Sequence, residues 1–323
     1  MGLAANDHVI RAIGLGGRAR AVVAETTNAV EELRRLHDPS PEVTAAVGRL
    51  ATGALLLAST LEKITAREPL LTVEVDGAGP AGRLVATASP AGWVRAMATN
   101  PLATAGRRDD GKLDVSGVVG VEGQVVVTRD LGIGEPYRGV VELVSGELAK
   151  DLAYYLSESE QSPAAVVLGV KCVREGRVAS AGGLLVQLLP GVSDQEALAL
   201  TDRIRTLGAV SSRLAAGQGP REWLAEIFPE GCTIFGEVPA RFFCGCSMER
   251  VERALKLLGS DEIRAVLEDG REGSSDVICG FCRMAYTLHP ERLRALITEV
   301  ESESAEMGMR NEHPPTRLVT SDG

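Results

Sequence analysis

Four of the six cysteines of this 323-residue chain lie in two close pairs near its C-terminal end. The first pair is Cys244 and Cys246, and the second pair, 32 residues later, is Cys279 and Cys282. Two close pairs of thiols supply the four ligands of a tetrahedral zinc site. The same sulfurs form two dithiol couples that an oxidant can convert to disulfides. The spacing therefore predicts a segment that binds zinc, responds to oxidants, or does both.

The remaining cysteines and the histidines show no comparable pattern. Cys172 falls in a predicted strand and Cys232 in a predicted helical segment. Both are interpreted as packing residues rather than ligands, and Cys232 is the better candidate for exposure and oxidation. The four histidines are scattered, at His8, His37, His289 and His313. A fifth ligand such as His289 would be redundant beside four sulfurs.

The composition restricts the classes of protein to which the chain can belong. A net charge of −10 argues against a dedicated nucleic-acid binder, which usually carries a basic excess. The N-terminal residues show no secretory signal, and the most apolar stretch, 51–58, is too short to span a bilayer. We therefore expect a cytoplasmic protein without a membrane partner. Paired cysteines in a reducing cytosol are more often metal ligands or redox sensors than permanent disulfides.

The first 190 residues are predicted to form an α+β domain of mixed helices and antiparallel strands. Ser40 and Pro41 begin a helix, and an apolar stripe predicts about six turns, as far as Ile64. Strands are predicted at 18–24, 71–76, 84–87, 124–129, 140–144, 166–173 and 178–189. A turn at 174–177 makes the last two a hairpin.

Three further segments follow this domain. Residues 191–239 are predicted to be a helical linker that is too small to fold alone and lies on the N-terminal sheet. Residues 240–300 form a small cysteine module with helices after Ser247, Ser260 and His289. Residues 301–323 are an acidic, polar tail that is predicted to be disordered.

The size of the cysteine module decides what a metal would do there. A module of about 50 residues is near the lower limit for independent folding. Structural zinc contributes an apparent free energy of about 10–16 kcal/mol in small modules, which matches or exceeds the stability of a typical domain. If neighbouring cysteines became disulfides instead, loop closure would return only about 1.6 and 1.9 kcal/mol. Oxidation is therefore expected to unfold the module, loosen the linker and expose apolar surface.

The sequence resembles the 33-kDa chaperonin family, the bacterial redox-switched heat-shock holdases. The C-terminal motifs that carry the resemblance are Phe243-Cys244-Gly245-Cys246-Ser247, Arg250, Leu258-Gly259, Glu262, Val277-Ile278-Cys279-Gly280-Phe281-Cys282 and Tyr286. The N-terminal motifs are Gly77-Ala78-Gly79-Pro80, Arg95, Asn100-Pro101, Glu135-Pro136-Tyr137-Arg138-Gly139, Ser145-Gly146-Glu147-Leu148-Ala149, Ser159-Glu160-Gln161-Ser162-Pro163, Ala181-Gly182-Gly183-Leu184 and Gln187 to Pro190. The resemblance covers about residues 15–300.

The resemblance implies a cytoplasmic, ATP-independent chaperone rather than an enzyme. It implies that the reduced, inactive form holds zinc on Cys244, Cys246, Cys279 and Cys282. It also implies that oxidants form the disulfides Cys244–Cys246 and Cys279–Cys282, release zinc and unfold the linker. The expected partners are unfolded or partly folded client proteins and, in the oxidised form, a second copy of the chain.

Two other functions remain open from the residues alone. Cys279-Gly280-Phe281-Cys282 has the spacing of a thiol–disulfide oxidoreductase, although it lies late in the chain and outside a predicted βαβ unit. A zinc-ribbon adaptor is the second alternative, because several basic residues lie near the ligands. Those residues are Arg241, Arg250, Arg253, Lys256 and Arg283.

Overall fold

The computed structural model of the chain describes residues 7–173, 176–269 and 275–311. It divides into two compact units, Met1–Cys244 and Gly245–Gly323. Both units mix helices with mainly antiparallel strands, which confirms the predicted α+β class. Within the described ranges, no helix combines the length and apolar character needed to cross a membrane.

The first unit contains two sheets. Its strands are β1 (His8–Gly14), β2 (Ala19–Glu25), β3 (Leu70–Ala78), β4 (Leu84–Ala88), β5 (Trp93–Ala98), β6 (Gly120–Asp130), β7 (Tyr137–Glu142), β8 (Ala164–Cys172), β9 (Val178–Leu188), β10 (Thr233–Pro239) and β11 (Arg241–Phe242). The strand order is β10-β1-β2-β9-β8 in one sheet and β11-β5-β4-β3-β6-β7 in the other. The predicted β8–β9 hairpin is confirmed as an antiparallel pair, and residues 174–175 of its turn lie outside the described ranges.

The helices of the first unit lie against these sheets. They are α1 (Thr27–His37), α2 (Pro41–Ala58), α3 (Val115–Val119), α4 (Ala149–Glu158), α5 (Asp194–Leu207), α6 (Val210–Ala215) and α7 (Pro220–Ile227), with a 3-10 turn at Leu15–Gly17. Helix α2 packs against strands of both sheets and is buried along almost its whole length. It is therefore the centre of the main hydrophobic core.

Helix α2 begins as predicted but ends earlier. The Ser40 hydroxyl accepts a hydrogen bond from the Val43 N–H, which is the expected N-terminal cap. The prediction of six turns to Ile64 is wrong, because the helix ends at Ala58. The Ser59 and Thr60 hydroxyls donate to the carbonyls of the last turn, at Leu55 and Leu57. Local side-chain bonds of this kind compete with continuation of a helix.

Helix α1 was not predicted, because its cap comes from a distant part of the chain. Thr26 makes no side-chain cap. Instead the Asp7 carboxylate accepts the N–H groups of Asn28 and Ala29, at 3.0 and 2.7 Å. Burial raises the pKa of Asp7 to about 6. A cap from another segment leaves no local signature at the start of the helix.

The segment after Pro190 packs on the first sheet, as predicted. Helices α5 to α7 form a second hydrophobic cluster with the face of the sheet opposite α2. Its largest buried members from this segment are Leu200, Ile204, Leu207, Trp223, Leu224, Ile227 and Phe228. The segment is helical only as far as Ile227, since its last part is strand β10, which pairs with β1.

An ion pair ties the start of this linker to the sheet. Arg18 donates to both carboxylate oxygens of Glu196 in the first turn of α5, at 2.7 and 2.6 Å. These bonds and those from Ser193 hold the pKa of Glu196 at about 2, below its ordinary value of 4.5. The unfolded linker therefore takes up a proton first as the solution becomes acidic. The ion pair stabilises the docked linker above pH 4.5, and this stabilisation is lost as the pH falls towards 2.

We predict that Glu196→Gln lowers the urea midpoint of linker unfolding at pH 7. The midpoint of the variant should also change less between pH 5 and pH 2 than that of the wild type. The measurement is tryptophan fluorescence, because Trp223 of the linker helix α7 is fully buried in the cluster between the linker and the first sheet. The matched control is Asp202→Asn, which breaks an exposed pair with Arg205 inside α5. Equal pH profiles for wild type and Glu196→Gln would contradict this role of the ion pair.

The second unit has a small core. Its elements are α8 (Met248–Leu258), α9 (Ser260–Asp269), β12 (Ser275–Ile278), β13 (Ala285–Leu288) and α10 (Pro290–Asn311). Its fully buried apolar residues within the described ranges are Leu255, Ile263, Leu288, Leu293 and Leu296. None of these is aromatic, so the core offers little apolar area per residue.

Helix α10 continues beyond the predicted end of the module at residue 300. Residues as far as Asn311 are helical where the sequence predicts a disordered tail, and residues 312–323 lie outside the described ranges. Lys256 of α8 pairs with Glu299 and Glu303 at 2.8 and 3.0 Å. These contacts with α8 therefore lie on both sides of the predicted boundary at residue 300.

Candidate metal centre

The first cysteine pair lies between a strand and a helix. Cys244 follows β11 after one residue, and Cys246 directly precedes Ser247. The Ser247 hydroxyl accepts the Arg250 N–H at 3.3 Å and caps α8. Cys244 therefore ends the first unit, next to β11, and Cys246 lies in the second unit, next to the cap of α8.

The second cysteine pair occupies the loop of the β12–β13 hairpin. The Cys279 N–H donates to the Met284 carbonyl, and the Arg283 N–H donates back to the Cys279 carbonyl, both at 2.9 Å. Arg283 adopts a φ of 60°, in the left-handed region that closes such a tight loop. This turn directs Cys279 and Cys282 toward the same point.

The four predicted cysteines come together in the structure. Their sulfur atoms all lie within 4.8 Å of one another, and the Cys246 and Cys282 sulfurs are 3.2 Å apart. All four are half-buried. Sulfurs at about 2.3 Å from a tetrahedral ion lie about 3.8 Å from each other, so the cluster matches the size of such a site. Four thiolates and no oxygen ligand favour a soft or borderline ion.

Two side chains donate hydrogen bonds to these sulfurs. The Tyr286 hydroxyl donates to the Cys246 sulfur at 2.9 Å, and the Arg95 guanidinium donates to the Cys244 sulfur at 3.7 Å. The hydrogen bond to Cys246 raises the pKa of Tyr286 to about 12. Donors of this kind orient ligating groups and stabilise their negative charge. Both residues belong to the family-like motifs, but their contacts with the cysteines could not be read from the spacing.

We predict that Tyr286→Phe weakens metal binding about tenfold, because the variant loses the hydrogen bond that stabilises the Cys246 thiolate. Competition with a chelator at fixed pH measures this affinity. Tyr154→Phe is the matched control, since Tyr154 is a partly exposed tyrosine of α4. Unchanged affinity in Tyr286→Phe would show that the hydroxyl contributes nothing to the site.

The other two cysteines lie away from the cluster. Burial raises the pKa of the Cys172 thiol to about 11, and it also raises the pKa of Cys232. Both groups are therefore protonated at neutral pH and react slowly as nucleophiles. Within the described ranges, no histidine or carboxylate joins the four cysteines as a possible ligand. His313 lies outside those ranges.

A protein-family model and several known proteins match most of this chain. The family model described as Hsp33 protein matches residues 7–289. The 33 kDa chaperonin of Bacillus subtilis strain 168 is 38% identical over 290 residues, which cover 90% of this chain and 98% of that protein. The 33 kDa chaperonin of Geobacter sulfurreducens is 41% identical over 292 residues, which cover 90% of this chain and 94% of that protein.

A solved structure also matches the fold. The crystal structure of the 33 kDa chaperonin from Thermotoga maritima, a heat shock protein 33 homologue, superposes with a TM-score of 0.80 at 30% identity. The match covers 92% of this chain and 99% of that one. Sequence and structure therefore agree that this chain belongs to the Hsp33 protein family.

Proposed function

We propose that this protein is a redox-regulated, ATP-independent holdase that binds unfolding proteins during oxidative or heat stress. The observation that carries the proposal is the cluster of four half-buried thiols, three of which belong to a unit with a small core. The relatives named as chaperonins support the chaperone part. The protein is proposed to act in the cytoplasm. No catalytic residue is proposed.

The metal proposed for the reduced form is zinc, held by Cys244, Cys246, Cys279 and Cys282. When bound, zinc supplies a closed structural cross-link between the two cysteine pairs and leaves no position for a substrate. The residues of the chain contribute the thiolates, the fixed turn at Cys279 and the hydrogen bond from Tyr286. Because the core of the second unit is small, most of its stability is assigned to this cross-link.

Oxidation is proposed to convert each cysteine pair into a disulfide, Cys244–Cys246 and Cys279–Cys282. Each pair of thiolates gives up two electrons, and one hydrogen peroxide takes up these electrons with two protons from solvent and becomes two waters. A sulfur in a disulfide is no longer a thiolate, so the four metal ligands are lost together. Two disulfides in loops this short return less than about 2 kcal/mol each.

Loss of the cross-link is proposed to release the linker helices α5 to α7 from the first sheet. Undocking would expose Trp223, Phe228 and the sheet face that carries Ile10 and Val23, all of which are now buried. A large exposed apolar surface of this kind can bind the apolar segments of unfolded chains. The proposed partners are unfolded or partly folded clients and, after oxidation, a second copy of the chain. No nucleic acid or membrane partner is proposed.

A thiol–disulfide oxidoreductase is less well supported. The thiolate of such enzymes is usually stabilised at a helix N-terminus. Here Cys279 and Cys282 lie in a hairpin loop between two strands.

The test treats purified reduced protein with peroxide and follows three quantities together: metal released, thiols consumed and aggregation of an unfolding client. We expect metal release and suppression of aggregation to rise together, and both to reverse with reductant and added zinc. Release of metal without any effect on aggregation would refute the chaperone proposal.

A further inference from the structure

Strand β11 is an unusual member of the second sheet. It has only two residues, Arg241 and Phe242, and it is the one strand among those described that pairs in parallel. It occupies the outer edge of β5. The Arg241 N–H donates to the Gly92 carbonyl at 2.9 Å, and the Phe243 N–H donates to the Val94 carbonyl at 3.1 Å. The register directs the Val94 N–H outward to the Arg241 carbonyl.

Side chains around β11 seat it on this edge. The Phe243 ring packs edge-on against Trp93, with ring centroids 5.8 Å apart, and the Arg241 guanidinium lies over Phe243. Phe242 packs against the main core. Close approach of the chain before β11 requires a glycine, because a Cβ on Gly92 would lie 2.1 Å from the Pro239 carbonyl oxygen.

The contacts that hold β11 on β5 are of the same kind as those that hold a bound peptide on a sheet edge. A short extended segment adds to an open strand edge through main-chain hydrogen bonds, and its side chains fill neighbouring surfaces. Main-chain bonds of this kind accept many sequences, as a binder of varied unfolded chains requires. The Phe243 side chain remains 46% exposed, so its ring is held by the Trp93 and Arg241 contacts rather than by burial.

The position of β11 in the chain links this edge to the cysteines. Cys244 follows Phe243 directly, and Arg95 of β5 donates to its sulfur. While Cys244 is fixed in the cluster, β11 is held at its C-terminal end. A disulfide between the Cys244 and Cys246 thiolates would form with loss of two electrons to hydrogen peroxide, which takes up two protons from solvent and becomes two waters. That end of β11 would then lose its anchor.

We propose that the outer edge of β5 at Trp93 and Val94 is a binding site for client chains. Its ligand is an extended client segment that carries an aromatic side chain, which packs against Trp93. Strand β11 occupies the site as an internal substitute in the reduced protein and leaves it on oxidation. The inference rests on the proposed holdase function and adds to it a specific main-chain contact, in a different sheet from the surface that the linker helices cover.

The test is amide hydrogen exchange on the full-length protein in three states: reduced, oxidised, and oxidised with a bound unfolded client. We expect the Val94 amide to be protected in the reduced state, to exchange at least tenfold faster after oxidation, and to regain protection with the client. The amides of Arg241 and Phe243 should lose protection on oxidation and not regain it. Co-elution on gel filtration reports client binding independently.

Three results would overturn the inference. If Arg241 and Phe243 stay protected after oxidation, β11 does not leave the edge. If a client co-elutes and Val94 remains unprotected, the client binds elsewhere and the holdase proposal stands without this site. If no client co-elutes with the oxidised protein, the proposed function fails and the inference fails with it.

A peptide gives a second test that does not depend on a variant that folds. The probe is an acetylated peptide of residues 239–243, Pro-Ala-Arg-Phe-Phe. We expect it to compete with client for the oxidised protein and to protect the Val94 amide at millimolar concentration. The control peptide carries Phe242→Ser and Phe243→Ser. Equal effects of the two peptides, or none, would contradict an aromatic-selective edge.

Discussion

Cys279→Ser is expected to abolish tight metal binding and to make the reduced protein hold clients without any oxidant. The variant keeps three sulfurs and replaces the fourth by a hydroxyl, which stays protonated at neutral pH and is a poor ligand for a soft ion. The structure gives no nearby substitute, because no other histidine, cysteine or carboxylate in the described ranges joins the cluster. A closed four-ligand site is thereby lost.

The expected effect is large because the second unit has few other sources of stability. Structural zinc contributes about 10–16 kcal/mol to small modules, and the buried apolar residues in the described part of this unit are five aliphatic side chains. The ion pairs that join α8 to α10, Lys256 with Glu299 and Glu252 with Arg292, are partly exposed to solvent, and each is expected to contribute far less stability than the metal. We therefore expect α8 to α10 to lose most of their amide protection in Cys279→Ser.

Three measurements check this prediction on the reduced variant: metal per chain, amide exchange in α8 to α10, and suppression of client aggregation. Cys232→Ser is the matched control, because its thiol lies outside the cluster and has a raised pKa. It should remain metal-loaded and inactive until oxidised. A reduced Cys279→Ser protein that is still metal-loaded, folded and inactive would refute the proposal that the bound metal keeps the protein inactive.

The cysteine cluster was predictable from the sequence for a physical reason. Ligand spacing is local within each pair, and two such pairs supply the four sulfurs that a tetrahedral ion requires. The linker helices were also predictable, because their signals are local in sequence. These signals are the cap at Ser193 and the apolar faces of α5 and α7. Their packing on the sheet follows because such faces must be buried.

The elements that escaped prediction depend on distant partners. Strand β10 contains Phe235 and Gly236 in a largely exposed pattern, and it is a strand because β1 offers an edge to it. Strand β11 is two residues long and exists only through its bonds to Gly92 and Val94. Helix α1 requires Asp7 from another segment. The Tyr286 contact with Cys246 likewise depends on the hairpin rather than on spacing.

Phe228→Ala is expected to separate the linker from the metal site and give client binding in a reduced, metal-loaded protein. Phe228 is 1% exposed, and its ring lies directly against Gly14 of β1, where a Cβ would fall 2.4 Å from the ring. Truncating a buried phenylalanine costs about 3–5 kcal/mol. The population of undocked linker should therefore rise by about two to four orders of magnitude. Because no ligand is touched, we expect metal content to stay at the wild-type level.

Gly14→Ala probes the same contact from the sheet side, since its added methyl group would clash with the Phe228 ring. Overpacking of this kind costs about 1–3 kcal/mol, so the effect should have the same direction and be smaller. Leu198→Ala is the matched control in the same linker, because Leu198 is 69% exposed and its loss should change stability by less than about 0.5 kcal/mol. Fluorescence of Trp223 reports docking, and client aggregation reports activity. If Phe228→Ala undocks the linker at full metal content and aggregation is still not suppressed before oxidation, the surface beneath the linker is not the one that holds clients. The edge of β5, which β11 covers in the reduced protein, then becomes the main candidate.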